Sequence, residues 1–270
     1  MSEKFIDIDK IIAEKNPKLK RWMPGFLLRY LKKILHQKEI NAIIESSEDM
    51  DGYEFCNYVL KEFNISIETK GLEHIPQSGG AIFAANHPLG GMDALAIIKE
   101  VIPLRPDLKF VVNDILLHLK PLKNLFIGVN KIGSNSKNNI ADLNAEFEKP
   151  QCVFVFPAGL VSRKKKGIVK DLVWKKTFIS RAKKFDKDVI PLFLDGELSN
   201  FFYRLSNIRE KIGVKANIEM LYLVNELFKQ KNRTLKLYFG KPIPHSTFNK
   251  SKTDIEWANF VKQEAYRLNT

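Results

Sequence analysis

The sequence predicts an α/β fold preceded by an N-terminal helical segment. Three observations lead there. Short apolar runs of strand length recur, at Ala81-Ile82-Phe83-Ala84-Ala85, Cys152-Val153-Phe154-Val155-Phe156 and Val189-Ile190-Pro191-Leu192-Phe193-Leu194. Such runs, bounded by turns, read as buried strands. Helical patterning lies between them, as after Asp93 and over 136–148, while residues 1–62 carry helical patterning without an apolar strand. With 270 residues the chain can form one large α/β domain with a helical extension. Its 44% hydrophobic and 28% charged content is that of a folded protein. The expected division is a helical segment over 1–62 and a main domain over 63–270.

Taken in order, residues 1–16 read as a short amphipathic helix with Phe5, Ile8, Ile11 and Ile12 on one side. From Pro17 to Lys38 there are seven Lys or Arg and no acid. Leu27, Leu28, Leu31, Ile34 and Leu35 share one helical face there, flanked by Trp22, Phe26 and Tyr30. A basic helix with an apolar stripe and edge aromatics can lie in a bilayer interface. The plainer alternative is a helix packed on the domain with its lysines in water. Helix continues over 39–63 with a break near 46–52, and 63–69 alternates with the period of a strand. A Pro/Gly loop over 71–80 leads into the apolar run at 81–85. Further strands are expected at 110–112 and 125–129, with a short apolar helix around 115–119 between them. The pattern ends with a strand and turn over 235–243 and an amphipathic helix over 253–268.

Composition narrows the function classes. Only two cysteines occur, Cys56 and Cys152, so a disulfide framework is not expected and a reducing compartment fits. There is no Cys-x-x-Cys and no His cluster, hence no signal of a metal site and no expected cofactor. The first ten residues lack the apolar core of a signal peptide. No run approaches the roughly 18 apolar residues of a membrane span. The net charge of +13 favours an anionic partner. Zinc ligands and aromatic sheet signatures of nucleic-acid readers are missing, so nucleic acid is not the expected one.

The chain's chemistry centres on Ala84-Ala85-Asn86-His87-Pro88-Leu89-Gly90-Gly91-Met92-Asp93. His87 falls where a strand ends and Asp93 where the next helix begins, and ligands bind at the carboxyl ends of strands in open α/β sheets. An imidazole can take a proton from a hydroxyl, and a carboxylate on its other nitrogen fixes the tautomer. The glycines at 90 and 91 permit a tight loop that could turn Asp93 back toward His87. The bland alternative is that Asp93 is a helix cap and His87 a satisfied loop residue.

These words resemble the first motif of the glycerolipid acyltransferase superfamily, a His and an Asp with four residues between, usually after Asn. Here five residues intervene, Pro88 to Met92. Phe156-Pro157-Ala158-Gly159 with Arg163 resembles the third motif, Phe-Pro-Glu-Gly-Thr-Arg-Ser, with Ala158 in place of the Glu. Lys131 stands near the second motif's basic residue. Val189 to Leu194 resembles the fourth motif, and Gly240-Lys241-Pro242-Ile243 the close of the domain. The resemblance covers about residues 64–244 and implies a mixed sheet flanked by helices. It also implies catalysis by His87 and Asp93, with substrate contacts from Asn86, Gly90, Gly91, Lys131, Phe156, Pro157, Gly159 and Arg163.

The implied reaction transfers a fatty acyl group from an acyl carrier protein or coenzyme A thioester to a lysolipid hydroxyl. The setting would be peripheral, at the cytoplasmic face of the inner membrane. No Gly-x-Ser-x-Gly elbow or His-paired Cys is present, so no covalent acyl-enzyme is implied. Amides of the 157–159 turn are candidate oxyanion donors. Eleven Lys or Arg against two acids, Asp171 and Asp186, fill 163–187. That run reads either as an anion-docking face or as a solvated one. The missing Glu and the longer first motif point away from plain lysophosphatidic acid. By resemblance to bacterial relatives with Asn-His-Pro-Leu-Gly-Gly, the expected acceptor is a lyso-aminolipid whose carboxylate meets Lys131 or Arg163. The alternatives are the standard lysophosphatidic acid reaction and a non-catalytic basic protein on anionic lipid.

Overall fold

The computed structural model describes residues 5–129 and 136–269. In chain order the helices are α1 Ile8–Lys15, α2 Pro17–Trp22, α3 Gly25–Ile34, α4 Gln37–Glu45, α5 Gly52–Glu62, α6 Gly91–Val101, α7 Ser136–Glu148, α8 Thr177–Lys184, α9 Asn200–Lys211, α10 Leu223–Phe228 and α11 Asp254–Arg267. The strands are β1 Ser66–Lys70, β2 Ala81–Ala85, β3 Lys109–Asn113, β4 Phe126–Val129, β5 Val153–Val155, β6 Arg163–Lys165, β7 Ile168–Lys170, β8 Asp188–Asp195 and β9 Thr234–Phe239. The chain divides into two compact units, one of 1–49 with 198–231 and one of 50–197 with 232–270. This does not follow a linear division at residue 62: α5 belongs to the larger unit, and a sequence-distant piece carrying α9 and α10 joins the N-terminal helices.

The larger unit is built on a seven-stranded sheet of order β1-β9-β8-β2-β5-β3-β4. Its neighbours are parallel except β8 and β9, which makes it the expected mixed sheet. Strand β2 is buried along its whole length between β8 and β5, which is why it reads as a continuous apolar run. Alternate residues of β2 serve opposite faces. Ile82 and Ala84 join a core with Phe147 of α7, Phe178 and Ile179 of α8, and Trp257 and Val261 of α11. Phe83, of opposite parity, meets Phe154 and Phe239. Helix α6 buries Met92, Leu95, Ala96, Ile97, Ile98 and Val101.

One expectation is corrected. The basic stretch over 17–38 is not one helix. Pro24 precedes α3 and lacks the N–H a continuing helix needs, and Met23 before it is extended. A left-handed His36, at φ 46°, then separates α3 from α4. The run over 163–187, read above only as charge, forms the antiparallel β6–β7 hairpin followed by α8.

Candidate active site

Because β5, β2 and β8 are parallel neighbours, their carboxyl ends gather at one edge of the sheet. As β2 ends, Asn86 extends its pairing with a side chain. Its Nδ2 donates to the Leu194 carbonyl at 2.8 Å and its Oδ1 accepts from the Leu194 amide at 2.7 Å. Asn86 was expected to touch substrate. Its buried amide is instead engaged by β8 and holds the chain entering His87.

The next residues form the pair. His87 Nδ1 lies 2.9 Å from Asp93 Oδ2. The fifth intervening residue is absorbed because Gly90, at φ 73°, caps α6 in a conformation side chains avoid. Gly91 opens the helix, and Asp93 occupies its third position. Asp93 Oδ2 also accepts from the amides of Leu89 at 2.9 Å and Gly90 at 3.1 Å. The helix N-terminus further favours negative charge there.

Asp93 is fully buried, and burial pushes its carboxyl above the ordinary range; the His87 hydrogen bond and the Leu89 amide pull it back. Backbone N–H groups only donate, so these oxygens are best filled as acceptors, with the shared proton on Nδ1. His87 Nε2 is then the acceptor nitrogen, and among the described residues it has no protein partner. The ring is 18% exposed and stacks on Phe156, with centroids 3.9 Å apart.

The third-motif turn supports this ring more than it offers polar groups. Gly159, at φ 69°, donates its amide to the Phe156 carbonyl at 3.0 Å, and the Pro157 carbonyl accepts from the Lys175 amide at 3.0 Å. Pro157 has no amide hydrogen. Of this turn, the Ala158 amide is the one that these bonds leave unengaged. Arg163 was expected to meet an acceptor carboxylate. It is buried, and Nη1 donates to its own loop at the Val161 carbonyl, 2.6 Å away. Lys131 lies outside the described residues.

Asp171 is the residue that sequence reasoning passed over. Its Oδ1 accepts from the His87 amide at 3.2 Å and from Ser162 Oγ at 2.5 Å, and its Oδ2 from Trp174 Nε1 at 2.7 Å. The Ser162 amide donates in turn to the His87 carbonyl at 2.8 Å. His87 is thus held by its backbone as well as by its ring. The available signal was an acid three residues before a Trp inside a run of bases.

A proton acceptor at the open end of a sheet, oriented by a buried carboxylate, can deprotonate a hydroxyl. Comparison with known proteins shows the family. A family described as acyltransferase matches residues 10–270. A lyso-glycine lipid O-acyltransferase of Bacteroides thetaiotaomicron is 42% identical over 266 residues, covering 98% of this chain and 97% of that protein. A protein of the same name from Phocaeicola vulgatus is 41% identical over 265 residues, covering 98% and 95%. The crystal structure of the 1-acyl-sn-glycerophosphate acyltransferase of Thermotoga maritima matches with a TM-score of 0.51 at 18% identity, covering 97% of this chain and 98% of that one, a likeness of fold. The chain belongs to the acyltransferase family and is an acyltransferase.

Proposed function

We propose that the chain moves a fatty acyl group from a thioester to the hydroxyl of a lyso-glycine lipid, a glycine bearing a 3-hydroxy fatty acyl chain. The His87–Asp93 pair, with Nε2 left as its acceptor nitrogen, carries the reading of the chemistry. The two relatives above 40% identity over nearly the whole chain support the acceptor. His87 Nε2 takes the hydroxyl proton as the oxygen attacks the thioester carbonyl. Asp93 holds the ring and stabilises the imidazolium. The tetrahedral oxyanion collapses to the ester, and the leaving thiolate takes the proton back from Nε2. General base action of this kind contributes about 10²- to 10⁴-fold.

His87→Ala, purified and assayed with one acyl donor and lyso-glycine lipid, should lose turnover by roughly that factor while unfolding like the wild type. Near wild-type turnover would remove His87 from the mechanism. Lysophosphatidic acid belongs in the same assay. Strong acylation of it, with none of the lyso-glycine lipid, would restore the standard phospholipid reaction.

The donor is an acyl carrier protein or acyl coenzyme A, both anionic and both suited to a strongly basic chain. The enzyme meets its lipid at a membrane surface, on the cytoplasmic face of the inner membrane. Among the described residues no helix is long and apolar enough to cross a bilayer. The contact we propose is peripheral, through α2 and α3, where Trp22 and Phe26 are exposed beside Lys18, Arg21 and Arg29.

A further inference from the structure

Among the described residues, twelve of the eighteen exposed large apolar side chains fall in the smaller unit, which holds fewer than a third of the chain. They come from two segments far apart in sequence. Leu19, Trp22, Phe26 and Leu27 belong to α2 and α3; Phe201 and Ile208 lie on α9, Ile212 directly after it, and Leu221 in the turn over 218–222. Trp22, Phe26, Ile208 and Ile212 are 84%, 68%, 58% and 66% exposed. Positions 201, 208 and 212 recur at helical spacing, so they form one stripe. Arg204, Lys211 and Lys215, all exposed, follow its flank.

The two segments are joined by aromatic residues. Tyr30 of α3 shares a 2.8 Å hydrogen bond with the Tyr222 hydroxyl. The Tyr222 ring meets Phe201 of α9 edge-on, with centroids 4.9 Å apart. Tyr30 and Phe201 are themselves exposed, so the apolar stripe of the N-terminal helices continues onto α9.

We propose that α9 is a second lipid-contacting helix, and that residues 198–231 complete one composite membrane-docking surface with α2 and α3, against a bilayer carrying anionic headgroups. This rests on the peripheral-membrane reading above and extends it to a segment the N-terminal sequence gives no reason to include. Charge and chemistry select the occupant. Apolar residues with an aromatic seam and a flank of one sign match the interface of an anionic bilayer. A symmetric pairing of two copies would set the basic patch against itself.

The test uses the full chain and vesicles of phosphatidylcholine with phosphatidylglycerol. Ile208→Glu/Ile212→Glu should lower the vesicle partition coefficient by about tenfold or more, since partition follows the apolar area buried. It should leave turnover on a water-soluble, short-chain acceptor unchanged. A fluorophore on Ile212→Cys reads contact directly, because Cys56 and Cys152 are buried and escape labelling; its emission should shift to the blue with vesicles and be quenched by brominated acyl chains. Wild-type partition of the Glu variant, together with an unshifted label, would overturn the proposal. If Trp22→Ser/Phe26→Ser loses vesicles in that case, only the α9 extension fails; if it also binds like wild type, the peripheral reading fails with it. Concentration-dependent self-association that the Glu variant abolishes, with vesicle binding intact, would instead make the face a dimer interface and overturn it as well.

Discussion

Two strongly basic stretches of this chain place their aromatic residues in opposite ways. Residues 17–38 and 163–187 are both strongly basic and both carry aromatic and aliphatic residues among the charges. In the first, Trp22, Phe26 and Leu27 face outward. In the second, Ile168 and Val173 are exposed, but Trp174 and Phe178 are buried in the core together with Ile179, and Asp171 grips the backbone of His87. Several of the second stretch's cations are also engaged internally. Lys187 Nζ donates to the Lys149 and Gln151 carbonyls, Lys164 pairs with Glu197 at 2.9 Å, and Lys183 pairs with Asp254. A charge run thus says little about its partner until the fate of the aromatic residues inside it is known. Where they turn in, the run is a structural support with a charged rim. Where they turn out, it can meet a surface.

The sharpest way to break this contrast is to truncate one aromatic in each stretch. Trp174→Ala removes a fully buried ring that also donates to Asp171. It should cost about 3–5 kcal/mol, read as a fall in the denaturant midpoint at unchanged slope. A loss under about 1 kcal/mol would mean that the second stretch does not belong to the core.

Trp22→Ser/Phe26→Ser in the first stretch should behave in reverse. Stability should stay within about 0.5 kcal/mol of wild type, because the rings touch little. Vesicle binding should fall about tenfold or more and lose part of its dependence on lipid composition. A variant that unfolds early but still binds vesicles would invert the assignment of the two stretches.

The smallest effect concerns how the first stretch is tied down. Asp9 pairs with Lys20 and Lys32, and those ammonium groups hold its carboxyl down at about 2. The folded value lies below the unfolded one near 3.9, so the stabilisation is present above about pH 4 and is lost as pH falls toward 2. More than a third of the Asp9 side chain is exposed, so the contribution is under about 1 kcal/mol and shrinks with salt. Comparing the denaturation midpoints of wild type and Asp9→Asn at about pH 5 and about pH 2.5 should show a clearly smaller gap at the lower pH. An equal gap at both would mean that the ion pairs do not carry it.

What the sequence alone determined is local. The apolar runs at 81–85, 152–156 and 189–194 were legible as strands, seen as β2, β5 and β8, because a strand buried on both faces is apolar along its buried length. Helix α7 fell where expected, at Ser136–Glu148. The positions of His87 at a strand end and Asp93 at a helix start were legible too, since both follow from the neighbouring residues and a glycine turn. What tertiary structure decided is every assignment that depends on a distant partner. Asn86 is matched to Leu194, 108 residues away, and His87 to Asp171, 84 away. Phe156 stacks on His87, and a piece beginning at 198 joins the first 49 residues. A side chain's chemistry fixes what it can bond, and the topology fixes which group comes within 3 Å of it. For that reason the motif positions of Asn86 and Arg163 did not reveal that they bond to Leu194 and to the Val161 carbonyl.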